Sequence, residues 1–395
     1  MTRDLALLDS LSLRDPSLDD EGLPYVQPWQ TPAPRPSWKA RVFALYLPQY
    51  HPIPENDAWR GPGFTEWTNV AKARPLFRGH RQPRLPGELG FYDLRLPEAR
   101  NAQANLARDH GVEGFIYWHY WFAGRRLLDR PFREVLASGE PDFPFCIGWA
   151  NHSWTKICSG LDDRQLVEQT YPGQRDIEAH FDALLPAFED RRYLRVDGAP
   201  FLYIFGPGGI PEPQAYWARW RELAIRRGIG DLHLVGIARP PWDAASLGLD
   251  GIVPNWLPGR RQPSFWRRVL GRAFPEIRER LHKPTLYSYD WYARRSISDT
   301  IGKTEKGWEY GWLLPNWDNT PRTGRRGFVL RGSTPERFRN CVHRLVTLLD
   351  GNEVPSEHRI IVLKSWNEWA EGNYVEPDQE FGRAYLEALR DELIR

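Results

Sequence analysis

Residues 360–372 read Ile360-Ile361-Val362-Leu363-Lys364-Ser365-Trp366-Asn367-Glu368-Trp369-Ala370-Glu371-Gly372. The apolar run Ile360-Ile361-Val362-Leu363 has the character of a buried strand. Where that strand runs out, Glu368 and Glu371 stand three residues apart among Trp366, Asn367 and Trp369. Paired carboxylates supply proton transfer, and flat indole rings suit the apolar face of a pyranose. A carboxyl packed against an indole loses hydration, which raises its pKa and keeps it protonated as a general acid. The plainer use of such a pair is as two solvated loop glutamates near a helix start. The tryptophans, Asn367 and the strand end together favour chemistry.

Outward from this segment the chain alternates between short apolar strands and helical stretches. Strands are predicted at 42–47, 114–118, 143–149, 201–205, 233–238, 251–253, 310–314 and 360–363. Helices are predicted at 97–110, 131–138, 175–185, 211–227, 334–349 and 380–393. Alternation of this kind argues for parallel βα units, and about eight of them suggest a single α/β (β/α)8 TIM barrel. An open doubly wound sheet is the alternative, but no GxGxxG or GxxxxGK[ST] motif supports a nucleotide-binding version of it. Residues 1–38, punctuated by Pro28, Pro32, Pro34 and Pro36, read as an N-terminal extension. Residues 39–395 then form the catalytic domain, with an enlarged loop region around 255–310.

Composition narrows the function classes. The chain has 395 residues, 41% hydrophobic and 26% charged, with a formal net charge of +2. That balance is ordinary for a soluble globular protein and gives no basic bias towards nucleic acid. The 19 tryptophans are the outlier. Many lie beside Gly, Pro, Asn or Glu, so part of this excess is expected to line a cleft, with a large aromatic core as the alternative. Cys146, Cys158 and Cys341 have no CxxC spacing, which points to a reduced compartment without structural disulfides or zinc. The first twenty residues lack the pattern of a signal peptide, so a cytoplasmic location is expected. Neither HExxH nor GxSxG occurs, so neither metal nor cofactor is expected. The segment 260–283 carries Arg260, Arg267, Arg268, Arg272 and Lys283 among Trp266, Leu270, Phe274 and Leu281. It reads as an ordinary amphipathic barrel helix, with weak contact to an anionic membrane surface as the alternative.

Barrel enzymes assemble their active sites at the C-terminal ends of the strands, and several predicted strand ends here are mixtures of polar and aromatic residues. The first strand leads into Tyr46, Gln49 and His51, which suit binding better than catalysis. The Gly61-Pro62-Gly63 turn shapes a loop that presents Glu66 and Trp67 to sugar hydroxyls, or orders itself with Glu66. Tyr117, His119 and Tyr120 follow the second strand, and Asn151, His152 and Trp154 the third. Trp317 and Asp318 follow the seventh, where Asp318 serves either the cleft or a turn. The ligand expected for this set is a glycan.

These motifs also carry a family resemblance. Residues 44–56, beginning Ala44-Leu45-Tyr46-Leu47-Pro48-Gln49-Tyr50-His51, resemble the opening signature of the WbsX family. So do Gly63-Phe64-Thr65-Glu66-Trp67-Thr68-Asn69, Gly90-Phe91-Tyr92-Asp93, Trp317-Asp318-Asn319-Thr320-Pro321-Arg322 and the Glu368–Glu371 segment. The resemblance runs from about residue 41 to about 388. It implies two activities: glycosyl transfer in O-antigen or other surface-polysaccharide assembly, or the chemistry of glycoside hydrolase family 99, a (β/α)8 fold. Similarity to the latter's Asn-Glu-Trp-x-Glu-Gly segment implies retention through a 1,2-anhydro sugar. Glu368 would then take the proton of the sugar 2-hydroxyl, and Glu371 would protonate the leaving oxygen and later activate water. One departure is His152, where many relatives carry Glu. A non-catalytic glycan-binding barrel is the third alternative.

Overall fold

The computed structural model describes residues 38–155, 165–238, 243–254, 257 and 282–394. Six strands follow one another in parallel, each paired with the next: β1 (Arg41–Tyr46), β2 (Val112–Phe122), β3 (Phe145–Trp149), β4 (Ala199–Ile204), β5 (His233–Ala238) and β6 (Gly251–Pro254). β6 pairs in parallel with β7 (Gly307–Glu309). At the other end of the order, β8 (Gly311–Leu313) pairs in parallel with β9 (Ile360–Leu363), and β9 with β1. β7 and β8 are one stretch of chain separated by Tyr310 alone, whose N–H donates to Ile252 O at 2.9 Å. The result is a curved parallel α/β sheet of the (β/α)8 kind.

The strands form because their residues are β-branched, aromatic or leucine and are buried along nearly their whole length, as parallel strands under helices must be. Gly148 in β3 is required by its neighbours. A Cβ there would stand 2.8 Å from the Ile116 side chain and 3.1 Å from the Trp118 ring. Helices Pro97–Asp109, Arg130–Ser138, Gln174–Phe188 and Pro213–Arg226 occupy the crossovers from β1 to β5, and Pro335–Gly351 the crossover from β8 to β9. Helix Pro335–Gly351 shows why. Thr334 caps the Arg337 N–H, Pro335 opens the first turn, and Phe338, Val342, Leu345 and Leu349 bury one face at helical spacing.

The eight predicted strands and six predicted helices all have observed counterparts, with ends shifted by a few residues. β2 is the main difference. It runs on to Phe122, so His119 and Tyr120 sit inside the strand with Tyr117 rather than on a loop after it. Within the expected loop region 255–310, the described residues form strand Thr285–Ser288, helix Tyr289–Ser296 and strand Gly302–Thr304. Thr285–Ser288 pairs in parallel with Phe328–Arg331 outside the main sheet. Both strands are short and one mixes polar with apolar residues, so neither has a periodic signature. The extension 1–38, apart from Trp38, and the basic segment 260–283, apart from His282 and Lys283, lie outside the described residues. Among the described residues no helix is long and apolar enough to cross a membrane.

Candidate active site

A cavity of about 340 Å³ opens at the C-terminal ends of the parallel strands. That is the size range of small-ligand sites, roughly 300–1,000 Å³. All of these strands except β7 contribute to it: Gln49 follows β1, Trp118 and Tyr120 lie on β2, and His152 and Trp154 follow β3. Phe205 follows β4, Ile237 ends β5 and Leu257 follows β6. Trp312 and Trp317 come from β8 and its exit, and Lys364, Glu368 and Glu371 from the exit of β9.

Its charged group is built around Arg322. The guanidinium donates from Nε to Glu66 at 2.9 Å, from Nη1 to Glu371 at 2.6 Å and from Nη2 to Glu368 at 3.1 Å. One planar fork thus holds three carboxylates from two segments that lie far apart in sequence. Glu371 has two further partners, Lys364 Nζ at 3.8 Å and the Asn373 amide, which donates at 3.3 Å. Burial opposes the charge on Arg322, but the three carboxylates outweigh it and push its pKa further up. Burial and the Glu371 charge raise the Glu368 carboxyl above the usual range. Burial acts the same way on Glu371, yet Arg322, Lys364 and Asn373 overcome it and hold that carboxyl low. Of the two carboxyls, Glu368 is thus the one that takes up a proton more readily and Glu371 the one that keeps its charge.

Local structure explains how these groups meet. Thr65 closes a capping box with Thr68, which starts helix Glu66–Ala71 and fixes Glu66 in its first turn. Asn69, on the same helix, donates to Glu66 at 3.2 Å. Asp318 is fully buried and accepts from Thr320 N at 3.1 Å and Thr320 Oγ1 at 2.6 Å, shaping the turn that carries Arg322. His80 and Gln82 hold its other oxygen at 2.8 Å each. Gly372 adopts φ 63°, and a Cβ there would stand 2.8 Å from the Asp318 nitrogen. Only glycine lets Asp318 N–H reach Glu371 O at 2.7 Å, the bond that ties the Arg322 turn to the Glu371 turn.

The cavity gathers Glu368 and Glu371 together with Gln49, Glu66, Tyr120, His152, Trp154 and Trp317. The other expected contacts lie elsewhere. Tyr46 donates to Gln103 at 2.6 Å on the helical side of β1. Tyr117 and His119 are on the outer face of β2, one residue out of phase with Trp118 and Tyr120. There the His119 and His180 Nε2 atoms lie 3.0 Å apart, and burial drives His119 down to about 3. His51 Nδ1 meets Pro48 O at 2.9 Å, and Trp67 Nε1 donates to Tyr92 O at 2.8 Å. Asn151 bridges Gly206 and Tyr171, and Asn367 binds both backbone groups of Leu47. Trp366 packs on Phe115, Trp369 stacks on Tyr374, and Asp318 belongs to the turn described above. The tryptophans divide likewise: Trp118, Trp154, Trp312 and Trp317 line the cavity, while Trp149, Trp217 and Trp220 cluster in the helical layer.

Arg322, Lys364 and Asn69 are the site residues that the sequence reading did not single out. Arg322 ends the motif Trp317-Asp318-Asn319-Thr320-Pro321-Arg322, and a cation at the end of an otherwise polar–aromatic strand exit is a usable signal.

A parallel βα sheet whose charged cluster sits at the strand exits has the architecture of the glycoside-hydrolase barrels. Solved structures agree at the level of fold. A glycoside hydrolase-like protein superposes with TM-score 0.56 at 14% identity, covering 93% of this chain and 98% of that one. The GH99 endo-alpha-mannosidase from Bacteroides thetaiotaomicron gives 0.52 at 13% identity, over 89% of this chain and 96% of that one. The chain itself belongs to the glycosyltransferase WbsX family, which matches residues 42–389. The uncharacterized protein WxcX of Xanthomonas campestris pv. campestris (strain B100) is 37% identical over 98% of this chain and 54% of its own length. WxcX of strain ATCC 33913 is 38% identical over 90% of this chain and 50% of its own length. The chain therefore spans about half the length of these relatives.

Proposed function

We propose that residues 39–395 form a closed (β/α)8 barrel that breaks glycosidic bonds in a polysaccharide or oligosaccharide, with retention and with Glu368 and Glu371 as the catalytic pair. The observation that carries this reading is the clamp of Arg322 on Glu66, Glu368 and Glu371 in the cavity at the strand exits. Closure of the barrel is supported by β7 and β8, which lie at opposite ends of the pairing order yet are one stretch of chain.

The pair carries a single proton, and the chemistry depends on where it stands. The WbsX resemblance gives Glu371 the acid role and Glu368 the task of drawing the proton from O2. The surroundings of the pair lean the other way, since the Glu368 carboxyl is raised and the Glu371 carboxyl is held low. A sugar hydroxyl that takes over the Arg322 Nη1 bond would remove one of the contacts that hold the Glu371 charge and so favour a proton on Glu371. O2, deprotonated towards Glu368, then attacks the anomeric carbon as Glu371 protonates the departing oxygen. Water then attacks the anomeric carbon of the 1,2-anhydro sugar and gives a proton to Glu371, while Glu368 returns its proton to O2 as the C1–O2 bond breaks. Trp154, Trp317 and Tyr120 supply flat faces for the ring, and Glu66 and Gln49 accept or donate to its hydroxyls.

Substrates with a good leaving group need no acid. Aryl glycosides bearing dinitrophenol should therefore still react with Glu371→Gln but not with Glu368→Gln. The opposite pattern exchanges the two roles. The family's description favours a second reading, glycosyl transfer in surface-polysaccharide synthesis. Product formation that requires a nucleotide-sugar donor would select it over hydrolysis.

A further inference from the structure

A second cavity, of about 250 Å³, lies behind the wall of the first. The strip 316–319 separates the two: Asn316 lines the second cavity, and Trp317 and Asn319 line the first. Arg81, Arg84 and Arg331 supply its positive charge, and its acidic groups are already engaged. Asp378 accepts from the Tyr374 hydroxyl at 2.7 Å and from the N–H groups of Glu380 at 3.0 Å and Phe381 at 2.6 Å. Glu380 pairs with Arg81.

Arg84 is different. Its Nε is buried without a hydrogen-bond partner, and no carboxylate among the described residues pairs with its guanidinium. Arg331 lies with its guanidinium 6.0 Å from the Phe77 ring centre and likewise has no ion-pair partner among the described residues. Asp318 and Asp378 act on the Arg84 guanidinium only through space, without a direct ion pair, and its planar fork fits a carboxylate or phosphate with two parallel hydrogen bonds. The hydroxyls of Ser333 and Tyr385 lie 2.8 Å apart on the same wall, with Ser333 donating to Pro315 O and accepting from Tyr385.

We propose that this cavity is an oxyanion subsite, which holds a carboxylate or phosphate group carried on the glycan while the bond to be broken lies at Glu368 and Glu371. The word glycan rests on the function proposed above; the oxyanion site rests on Arg84 and Arg331. The shared wall makes the arrangement useful, because an acidic substituent seated there fixes the register of the chain in the cleft.

Calorimetric titration of the full chain with glucuronate and with inorganic phosphate tests the site without any turnover. At least one of the two should bind, and Arg84→Gln should weaken it roughly tenfold, the value of one charged hydrogen-bonded contact. Arg84→Lys should recover part of the loss, and Glu371→Gln should leave this binding unchanged even if turnover is lost. Binding of glucuronate alone identifies a sugar acid, and binding of phosphate alone a phosphoryl group. Should Arg84→Gln fail to fold, the exposed Arg331→Ala takes its place, with an expected weakening of roughly threefold. No binding of either anion, or equal binding by wild type and both arginine variants, overturns the proposal. Loss of anion binding in Glu371→Gln would place the anion in the catalytic cleft and overturn it too.

Discussion

Glu371 and Glu376 leave the same strand end and meet opposite surroundings. Glu371 faces a cavity and two cations, and its charge is held by Arg322 and Lys364. Glu376 pairs with no cation among the described residues. It accepts from Trp369 Nε1 at 2.6 Å, Gln103 Nε2 at 2.6 Å and the Tyr92 hydroxyl at 2.8 Å, all neutral donors in the core. Burial pushes Glu376 up to about 7, although those three bonds favour its charge. A perturbed carboxyl is therefore not a catalytic one on that ground. What separates the two regions is the cavity and the guanidinium that sets where a proton goes.

Glu371→Gln and Glu368→Gln should each lower turnover on a natural glycan by about 10³-fold or more, with unfolding curves close to wild type. Equal activity in either variant would erase the distinction between the two regions. Arg322→Met should lower turnover by about 10²-fold. It should also cost about 3 kcal/mol of stability near neutral pH, because it strands buried carboxylates. The sign with pH follows from Glu371. Its folded pKa is depressed, so its contribution is present above the unfolded pKa and lost as pH falls; without Arg322 the carboxylates take up protons, so the deficit of the variant shrinks in acid. Chemical denaturation of both proteins at acidic and neutral pH measures it.

Glu376→Ala should destabilise by about 3 kcal/mol, since three buried donors lose their acceptor, while turnover per folded molecule changes little. A large loss of turnover in folded Glu376→Ala would break the comparison. Glu376 also gives its own pH signature. Its folded pKa is raised, so the stabilisation is complete below the unfolded value of 4.5 and is lost as pH rises towards about 7. Denaturation midpoints of wild type should fall across that window, and those of Glu376→Gln should not. The smallest effect is Trp154→Ala, with KM raised roughly fivefold for about 1 kcal/mol of lost ring contact and kcat nearly unchanged.

The fold was legible because each crossover unit has its own period. Ile360–Leu363 is uniformly apolar, and Pro335–Gly351 carries a clean helical stripe. The site was legible at the strand exits, where Glu368, Glu371, Glu66 and His152 could be picked out as polar groups among aromatics. What failed was direction. Tyr117, His119 and Tyr120 share one motif, and only the extension of β2 through Phe122 puts Tyr120 inside and its neighbours outside. Asn367, Trp369 and Asp318 are equally polar or aromatic in sequence, yet their hydrogen bonds are spent on the scaffold that holds the glutamates. Arg322 was hidden for a related reason: its meaning lies in three partners brought from two other segments.

The account stands most directly on the release of reducing ends from a panel of polysaccharides and oligosaccharides, compared among wild type, Glu368→Gln and Glu371→Gln. It predicts release by wild type without any nucleotide-sugar donor and loss of that release in both variants. Undiminished release by either variant, or product formed only when a donor is supplied, would contradict it.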